Sequence, residues 1–169
     1  MRPKTQEEIA NMRISGRMLA QVLAVLAEQI KPGMTTQDLD DIARAELGKL
    51  GGEAPFLGYQ GFPATLCVSV NEEVVHGMPG ARIIEDGDIV GLDFGVNYKG
   101  MITDSAITVG VGNVDAASQQ LIEVTKKSMM AGIKAVKAGA RVGDIAAAVE
   151  SVLKPAGYGI VEDLAGHGV

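Results

Sequence analysis

Two aspartates, Asp93 and Asp104, have a spacing that could bring their carboxylates together on a β-hairpin. The even positions from 90 to 96 are bulky and apolar, whereas the odd positions on either side of Asp93 are glycines. Because side chains alternate between the faces of a strand, we expect Asp93 on a face cleared of bulk, opposite the core. A second apolar run at 101–109 contains Asp104 and completes the predicted hairpin.

The position of the turn decides how these two carboxylates pair. A two-residue turn at Tyr98-Lys99 predicts that Asp93 lies directly opposite Asp104, with Cβ atoms about 4.5–5.5 Å apart, where like charges repel. Divalent cations would compensate this repulsion, and such a pair can bridge ions about 3.5–4 Å apart. The alternative is a solvated hairpin whose two acids align without a function. The ion site is favoured because the neighbouring residues are small: Gly91, Gly95 and Ala106.

Two histidines could add to this chemistry. His167 lies between Gly166 and Gly168, which leave its imidazole unobstructed, and imidazole is a common ligand for Zn, Fe, Co and Mn class metals. His76 follows a strand-like run at 70–75 and precedes a turn at 77–80, so we expect it at a strand end. A lone histidine there is more often a structural hydrogen-bonding residue, and both interpretations stay open.

The composition limits the class of protein. A chain of 169 residues with 47% hydrophobic content predicts one domain spanning residues 1–169. Its net charge of −6, without a run of basic residues, argues against nucleic-acid binding. The single cysteine, Cys67, excludes an intrachain disulfide, reads as a buried structural thiol, and favours the cytoplasm. We find neither a signal-peptide pattern nor an apolar run of the ~20 residues that a membrane helix needs.

Hydrophobic periodicity and turn residues predict an α+β fold with helices packed on an antiparallel sheet. The helices are predicted at 5–30, 35–50, 116–136 and 143–153, and the strands at 64–70, 88–96 and 101–109. The second helical pair repeats the first at a constant offset of 106 positions: Lys31, Gly33, Asp38, Leu39 and Gly51 correspond to Lys137, Gly139, Asp144, Ile145 and Gly157. Such matches predict related halves at 1–106 and 107–169, the second incomplete because its strands are expected near 170–215. Coincidence at helix ends is the alternative.

Four segments together resemble the bacterial type I methionine aminopeptidases over essentially the whole chain. They are Ser69–Pro79, Gly87–Gly95, Thr103-Asp104 and Gly166–Gly168. The resemblance implies the pita-bread fold, with the repeat as its pseudo-twofold. It also implies a metallopeptidase that removes the initiator methionine from nascent polypeptides by metal-assisted amide hydrolysis.

The resemblance further implies two divalent ions of the Mn, Fe, Co or Zn class. Asp93, Asp104 and His167 would be three of five ligands, with Asp104 bridging both ions, and His76 would be catalytic, assisting the scissile amide. Two glutamate ligands, one of them the general base, are expected beyond residue 169, so the chain alone is expected to be inactive. The residues that would contact the substrate are His76, Phe56, Tyr59, Phe62 and Cys67.

The loop at 56–63 resembles the one that lines the family's methionine pocket, although Phe56 and Gln60 depart from its usual residues. Ordinary core packing is the alternative for Phe56 and Phe62. The implied partners are nascent N-termini near the ribosome, without nucleic acid or membrane, and the implied state is a monomer.

Two competing classes of protein remain. Prolidase and aminopeptidase P relatives share the fold but carry a large N-terminal domain, for which a first helix starting at about Thr5 leaves no room. A non-catalytic pita-bread module that binds peptides or proteins would lose metal ligands, whereas Asp93, Asp104, His167 and His76 are all present.

Overall fold

The computed structural model describes residues 2–168, so the end residues of the predicted domain, Met1 and Val169, lie outside the described part. The chain forms two compact units, which divide between Val114 and Asp115. The first contains α1 (Gln6–Gln29), α2 (Thr36–Leu50), a short 3-10 helix (Tyr59–Gly61), β1 (Leu66–Val70), β2 (Ile89–Tyr98) and β3 (Met101–Gly110). The second contains α3 (Ala116–Ala135) and α4 (Val142–Leu153). The four predicted helices and three predicted strands are thus confirmed, with small shifts at their ends.

The three strands form one antiparallel sheet in the order β1-β2-β3, and its core face packs against α1 and α2. The apolar positions of β2 that the alternation singled out are fully buried there: Val90, Leu92, Phe94 and Val96. Burying a side chain of this size contributes about 1.5–3 kcal/mol. The other face of β2 is therefore the one that carries Asp93, as predicted.

Capping residues mark the starts of the first two helices and the end of α2. Thr5 caps α1, and Thr35 caps α2 in a reciprocal capping box with Asp38. α2 ends at Gly51, which takes a left-handed conformation with φ 73°. Asp40 of α2 is buried and ties the helix to the start of β1, because one carboxylate oxygen accepts hydrogen bonds from Thr65 and Leu66.

The repeat of 106 positions is visible in local backbone geometry. Gly33 and Gly139 both follow a helix in the left-handed region, with φ 91° and 85°. Asp38 in α2 and Asp144 in α4 each accept a hydrogen bond from the backbone amide of the N-cap residue of their own helix, at 2.7 and 2.8 Å. Equal geometry at a constant offset indicates two copies of one helix–turn–helix pattern. The exact halves 1–106 and 107–169 stay a prediction.

Described residues 2–168 contain no helix that combines the length and the apolar character required to cross a membrane.

Candidate active site

The hairpin that carries the two aspartates turns one residue later than predicted. Tyr98 pairs with Met101, and the turn is Lys99-Gly100, with φ 51° and 77°. Two positive φ values define the type I′ turn that matches the twist of the flanking strands, and glycine suits its second position. The predicted turn at Tyr98-Lys99 is therefore wrong, because it left Gly100 out of the position that needs a left-handed residue.

The shifted turn changes the partner of each aspartate but not its face. Asp93 lies opposite Ala106, and Asp104 lies opposite Gly95, so the predicted direct pairing of the two aspartates is wrong. The register moved by two positions, and an even shift keeps both side chains on one face. They are diagonal neighbours, for which the separation is about 7–8 Å, and Asp93 is half-buried while Asp104 is exposed.

Cys67 lies on the same face of the sheet as the two aspartates. It lies directly opposite Asp93 on β1, and its side chain is buried, as predicted. Burial, together with the smaller effect of the negative charges of Asp93, Asp104 and Asp40, raises the pKa of the Cys67 thiol to about 12. The thiol therefore stays protonated at neutral pH and faces the carboxylates as a small, uncharged group.

His76 lies in a loop that turns back beside β1. The strand-like run predicted at 70–75 is wrong, since β1 ends at Val70 and the chain turns with φ 56° at Asn71. The amide of Gly77 donates to Ser69 Oγ at 3.1 Å, and its carbonyl accepts from the Val68 amide at 2.8 Å.

Only glycine fits at position 77. A Cβ atom there would lie 2.1 Å from the Val68 carbonyl oxygen. Ser69 shares the face of Cys67, since the two are separated by two positions on β1. We call the face of the sheet that carries Cys67, Asp93 and Asp104 the carboxylate face. The hydrogen bond from Gly77 to Ser69 therefore holds the exposed His76, which has φ 60°, next to the edge of the carboxylate face.

The residues proposed for a substrate pocket occupy different environments. An ideal Cβ built on Gly95 would lie 2.8 Å from a Phe56 ring carbon, so Phe56 packs directly over β2. Phe62 is half-buried, whereas Tyr59, in the short 3-10 helix, is 67% exposed. The space above Gly95 is thus occupied by Phe56 of this chain. The expectation that the missing side chain at position 95 leaves room for ions is therefore wrong.

His167 lies in the second unit, where it is exposed, whereas Asp93 and Asp104 belong to the first. Its role as a third ligand stays a prediction. Between residues 2 and 168, no group of three or more His, Cys, Asp or Glu side chains is arranged to hold a metal ion. The two carboxylates supply oxygen donors that suit divalent cations, so they fit part of a metal site without completing it.

Sequence reasoning missed how the loop before Phe56 is attached. Glu53 and Asn97 exchange two backbone hydrogen bonds of 2.9 Å, and the Asn97 side chain donates to the Glu53 carboxylate, also at 2.9 Å. The sequence feature that could have indicated this attachment is the Gly51-Gly52 pair. A Cβ atom at Gly52 would lie 2.6 Å from Leu47, so glycine is needed there because the backbone approaches the core closely.

Known proteins are similar to this chain in sequence and in fold. The model of metallopeptidase family M24 matches residues 10–169. A methionine aminopeptidase from Borreliella burgdorferi is 44% identical over 169 residues, which cover 100% of this chain and 67% of that protein. The crystal structure of methionine aminopeptidase from Thermotoga maritima superposes with a TM-score of 0.97 at 36% identity, covering 100% of this chain and 68% of that one. The chain therefore spans about two thirds of the length of these relatives.

A prolidase from Pyrococcus furiosus, with a TM-score of 0.82 at 20% identity, covers 92% of this chain and 44% of that one and shows the fold alone. The fold is the α+β pita-bread fold, and the family implies divalent metal ions as cofactors. The matches at 44% and 36% identity are to methionine aminopeptidases rather than to prolidases. The chain belongs to metallopeptidase family M24, among its methionine aminopeptidases.

Proposed function

We propose that the protein removes the initiator methionine from nascent polypeptides by hydrolysing the first peptide bond. The observation that carries the proposal is the diagonal placement of Asp93 and Asp104 on one face of the sheet, beside Cys67 and Phe56, in a chain 44% identical to a methionine aminopeptidase. The metallopeptidase family supplies the reaction class, and the named relatives supply the substrate.

Two divalent ions of the Mn, Fe, Co or Zn class are the proposed cofactors. Asp93, Asp104 and His167 would hold them. When bound, the ions lower the pKa of a water molecule and polarise the peptide carbonyl. The diagonal placement of the two carboxylates on one face supports a shared site, because it presents two oxygen donors that suit divalent cations on the same surface.

His76 is the proposed catalytic side chain of this chain. Its imidazole would hydrogen-bond to the scissile amide, and the bond from Gly77 to Ser69 would keep it at the edge of the carboxylate face. Replacing His76 with alanine should lower kcat by about 10²–10³-fold, as for other hydrogen-bond donors placed at a reacting group. Ser151→Ala, on the exposed surface of α4, is the matched control and should retain activity.

The methionine side chain would bind against Phe56, Tyr59, Phe62 and Cys67. A protonated thiol suits this role, because it presents sulfur without charge to a thioether. The proposed substrates are nascent N-termini near the ribosome, and the proposed state is a cytoplasmic monomer. A single, buried thiol supports a reducing compartment.

The decisive experiment compares the 169-residue chain with a version extended to the length of its relatives. Both are loaded with Mn²⁺, Co²⁺ or Fe²⁺ and assayed for release of methionine from a Met-Gly-type peptide. We expect turnover only from the extended protein, because a general base contributes about 10²–10⁴-fold and the three ligands hold an ion only loosely without the remaining carboxylates. No release by either protein would refute the proposed activity. Comparable turnover by both would show that the general base lies within residues 1–169.

A further inference from the structure

Gly95 is a neighbour of both aspartates on the carboxylate face. It lies two residues from Asp93 along β2 and directly opposite Asp104 on β3. Because side chains at positions two apart share a face, a side chain at position 95 would project beside both carboxylates. That space is taken by the loop that precedes the 3-10 helix.

Two side chains of that loop lie over Gly95. An ideal Cβ there would be 2.8 Å from Pro55 Cγ, and 2.8 and 3.3 Å from two ring carbons of Phe56. Separations below 3.0 Å are not tolerated without movement, so the ring rests on the backbone of β2 only because residue 95 has no side chain. Phe56 is therefore held beside both carboxylates by packing against Gly95.

The backbone on either side limits how far the loop can retreat. Glu53 is bridged to Asn97 by two backbone hydrogen bonds and one side-chain hydrogen bond, each of 2.9 Å. Gly52, one residue earlier, already approaches Leu47 and Val96 closely. Pushing Phe56 away from β2 would therefore move the ring toward the open side of the site rather than shift the whole loop.

We propose that Gly95 is a specificity-determining position, because its missing side chain sets the depth at which Phe56 forms one wall of the pocket for the substrate's first side chain. This inference rests on the proposed methionine aminopeptidase function. It differs from a general need for small residues near the carboxylates, because the space above Gly95 is already filled by the chain itself.

Gly91 provides a matched control on the same strand and face. It lies two residues from Asp93 on the other side, and a Cβ there would meet Ser69 atoms at 3.5 and 3.7 Å, which are ordinary contact distances. Gly95→Ala and Gly91→Ala therefore add the same methyl group at equal sequence distance from Asp93. Only the change at position 95 should displace an aromatic ring.

The first measurement is thermal unfolding of the metal-free 169-residue chain, which does not depend on activity. Gly95→Ala should lower Tm more than Gly91→Ala, and its effect should shrink in a Phe56→Ala background, as expected for side chains in contact. Equal and additive effects would show that the contact between Phe56 and position 95 does not restrict the fold, and would overturn the inference.

The second measurement uses the active, metal-loaded protein and compares kcat/KM for methionyl peptides with that for peptides beginning with the shorter norvaline. Gly95→Ala should reduce the preference for methionine by about 10-fold or more, mainly through KM, since about one methylene of pocket space is worth that much. Gly91→Ala should leave the preference close to that of the unmodified protein. If the unmodified protein releases methionine and Gly95→Ala has the preference of Gly91→Ala, the inference alone fails. If the unmodified protein releases no methionine, the proposed function fails and the pocket assignment with it.

Discussion

Asp93 and Asp104 are diagonal neighbours on one face of the β2–β3 hairpin, with Gly95 directly opposite Asp104. This relationship separates the two carboxylates more than direct pairing would, yet keeps them on a common surface. Cys67 lies opposite Asp93 on the other neighbouring strand. The carboxylate face thus has the Cys67 thiol on one side, and the Phe56 ring covers it at Gly95.

The carboxylate pair should govern metal binding. In the active protein, added Mn²⁺ or Co²⁺ should raise Tm, because a ligand that binds only the folded state stabilises it. Asp93→Asn and Asp104→Asn should each weaken metal affinity by at least about 10–100-fold, the cost of losing an outer-shell partner alone. Glu28→Gln, which removes an exposed carboxylate from α1, is the control. An unchanged metal-dependent rise in Tm for both asparagine variants would contradict the metal assignment.

The Cys67 thiol should react slowly in the folded chain. A pKa of about 12, against about 8.5 for a free cysteine, reduces the thiolate fraction at pH 8 by about a thousandfold, and burial slows access further. Alkylation by iodoacetamide in EDTA, followed by mass spectrometry, measures the rate. The urea-unfolded chain is the reference, and equal rates in the folded and unfolded chains would contradict the burial of the thiol.

The same pKa shift gives stability a defined pH dependence. The folded pKa lies above the unfolded one, so the contribution of the protonated thiol is complete below about pH 8.5. It is lost as the pH rises toward the folded value, with a limiting slope of about 1.4 kcal/mol per pH unit. Urea unfolding between pH 8 and 10.5 should show this loss in the unmodified chain and a smaller one in Cys67→Ala.

Asp40 should be important for stability rather than chemistry. One of its oxygens accepts hydrogen bonds from the Thr65 amide, the Thr65 hydroxyl and the Leu66 amide, at 2.7, 2.5 and 2.9 Å, in a site that is 1% exposed. Asp40→Ala leaves these donors without an acceptor and should lower the free energy of unfolding by about 2–4 kcal/mol, measured by urea denaturation. Asp41→Ala, on the exposed side of the same helix, should change it by less than about 0.5 kcal/mol. A loss for Asp40→Ala as small as that expected for Asp41→Ala would mean that the buried carboxylate is not essential.

The two copies of the helix turn should respond alike to substitution. Gly33 and Gly139 have φ 91° and 85° with open space around them, so alanine at either position adds backbone strain and no clash. Each change should destabilise its own helical pair by about 1–2 kcal/mol. Gly48→Ala, inside α2 with open space and no positive φ, should stabilise by about 0.4–1 kcal/mol. Thermal unfolding distinguishes these outcomes, and a loss at only one of the two turns would weaken the repeat.

The sequence by itself determined the features that depend on neighbouring residues. Capping residues such as Thr5 and Thr35 bounded the helices, and the period-two alternation around Asp93 assigned its face correctly. Both signals are local, because helix caps and strand alternation repeat within a few residues of the backbone. The combined motifs also identified the family, which the comparisons support.

Only the tertiary structure decided the contacts between distant segments. It put the hairpin turn at Lys99-Gly100, which made Asp93 and Asp104 diagonal rather than direct neighbours. It also seated Phe56 on Gly95, a contact across 39 positions that no local pattern encodes. The physical reason is that the energy of such contacts depends on shape complementarity between side chains and backbone, which exists only after the chain has folded.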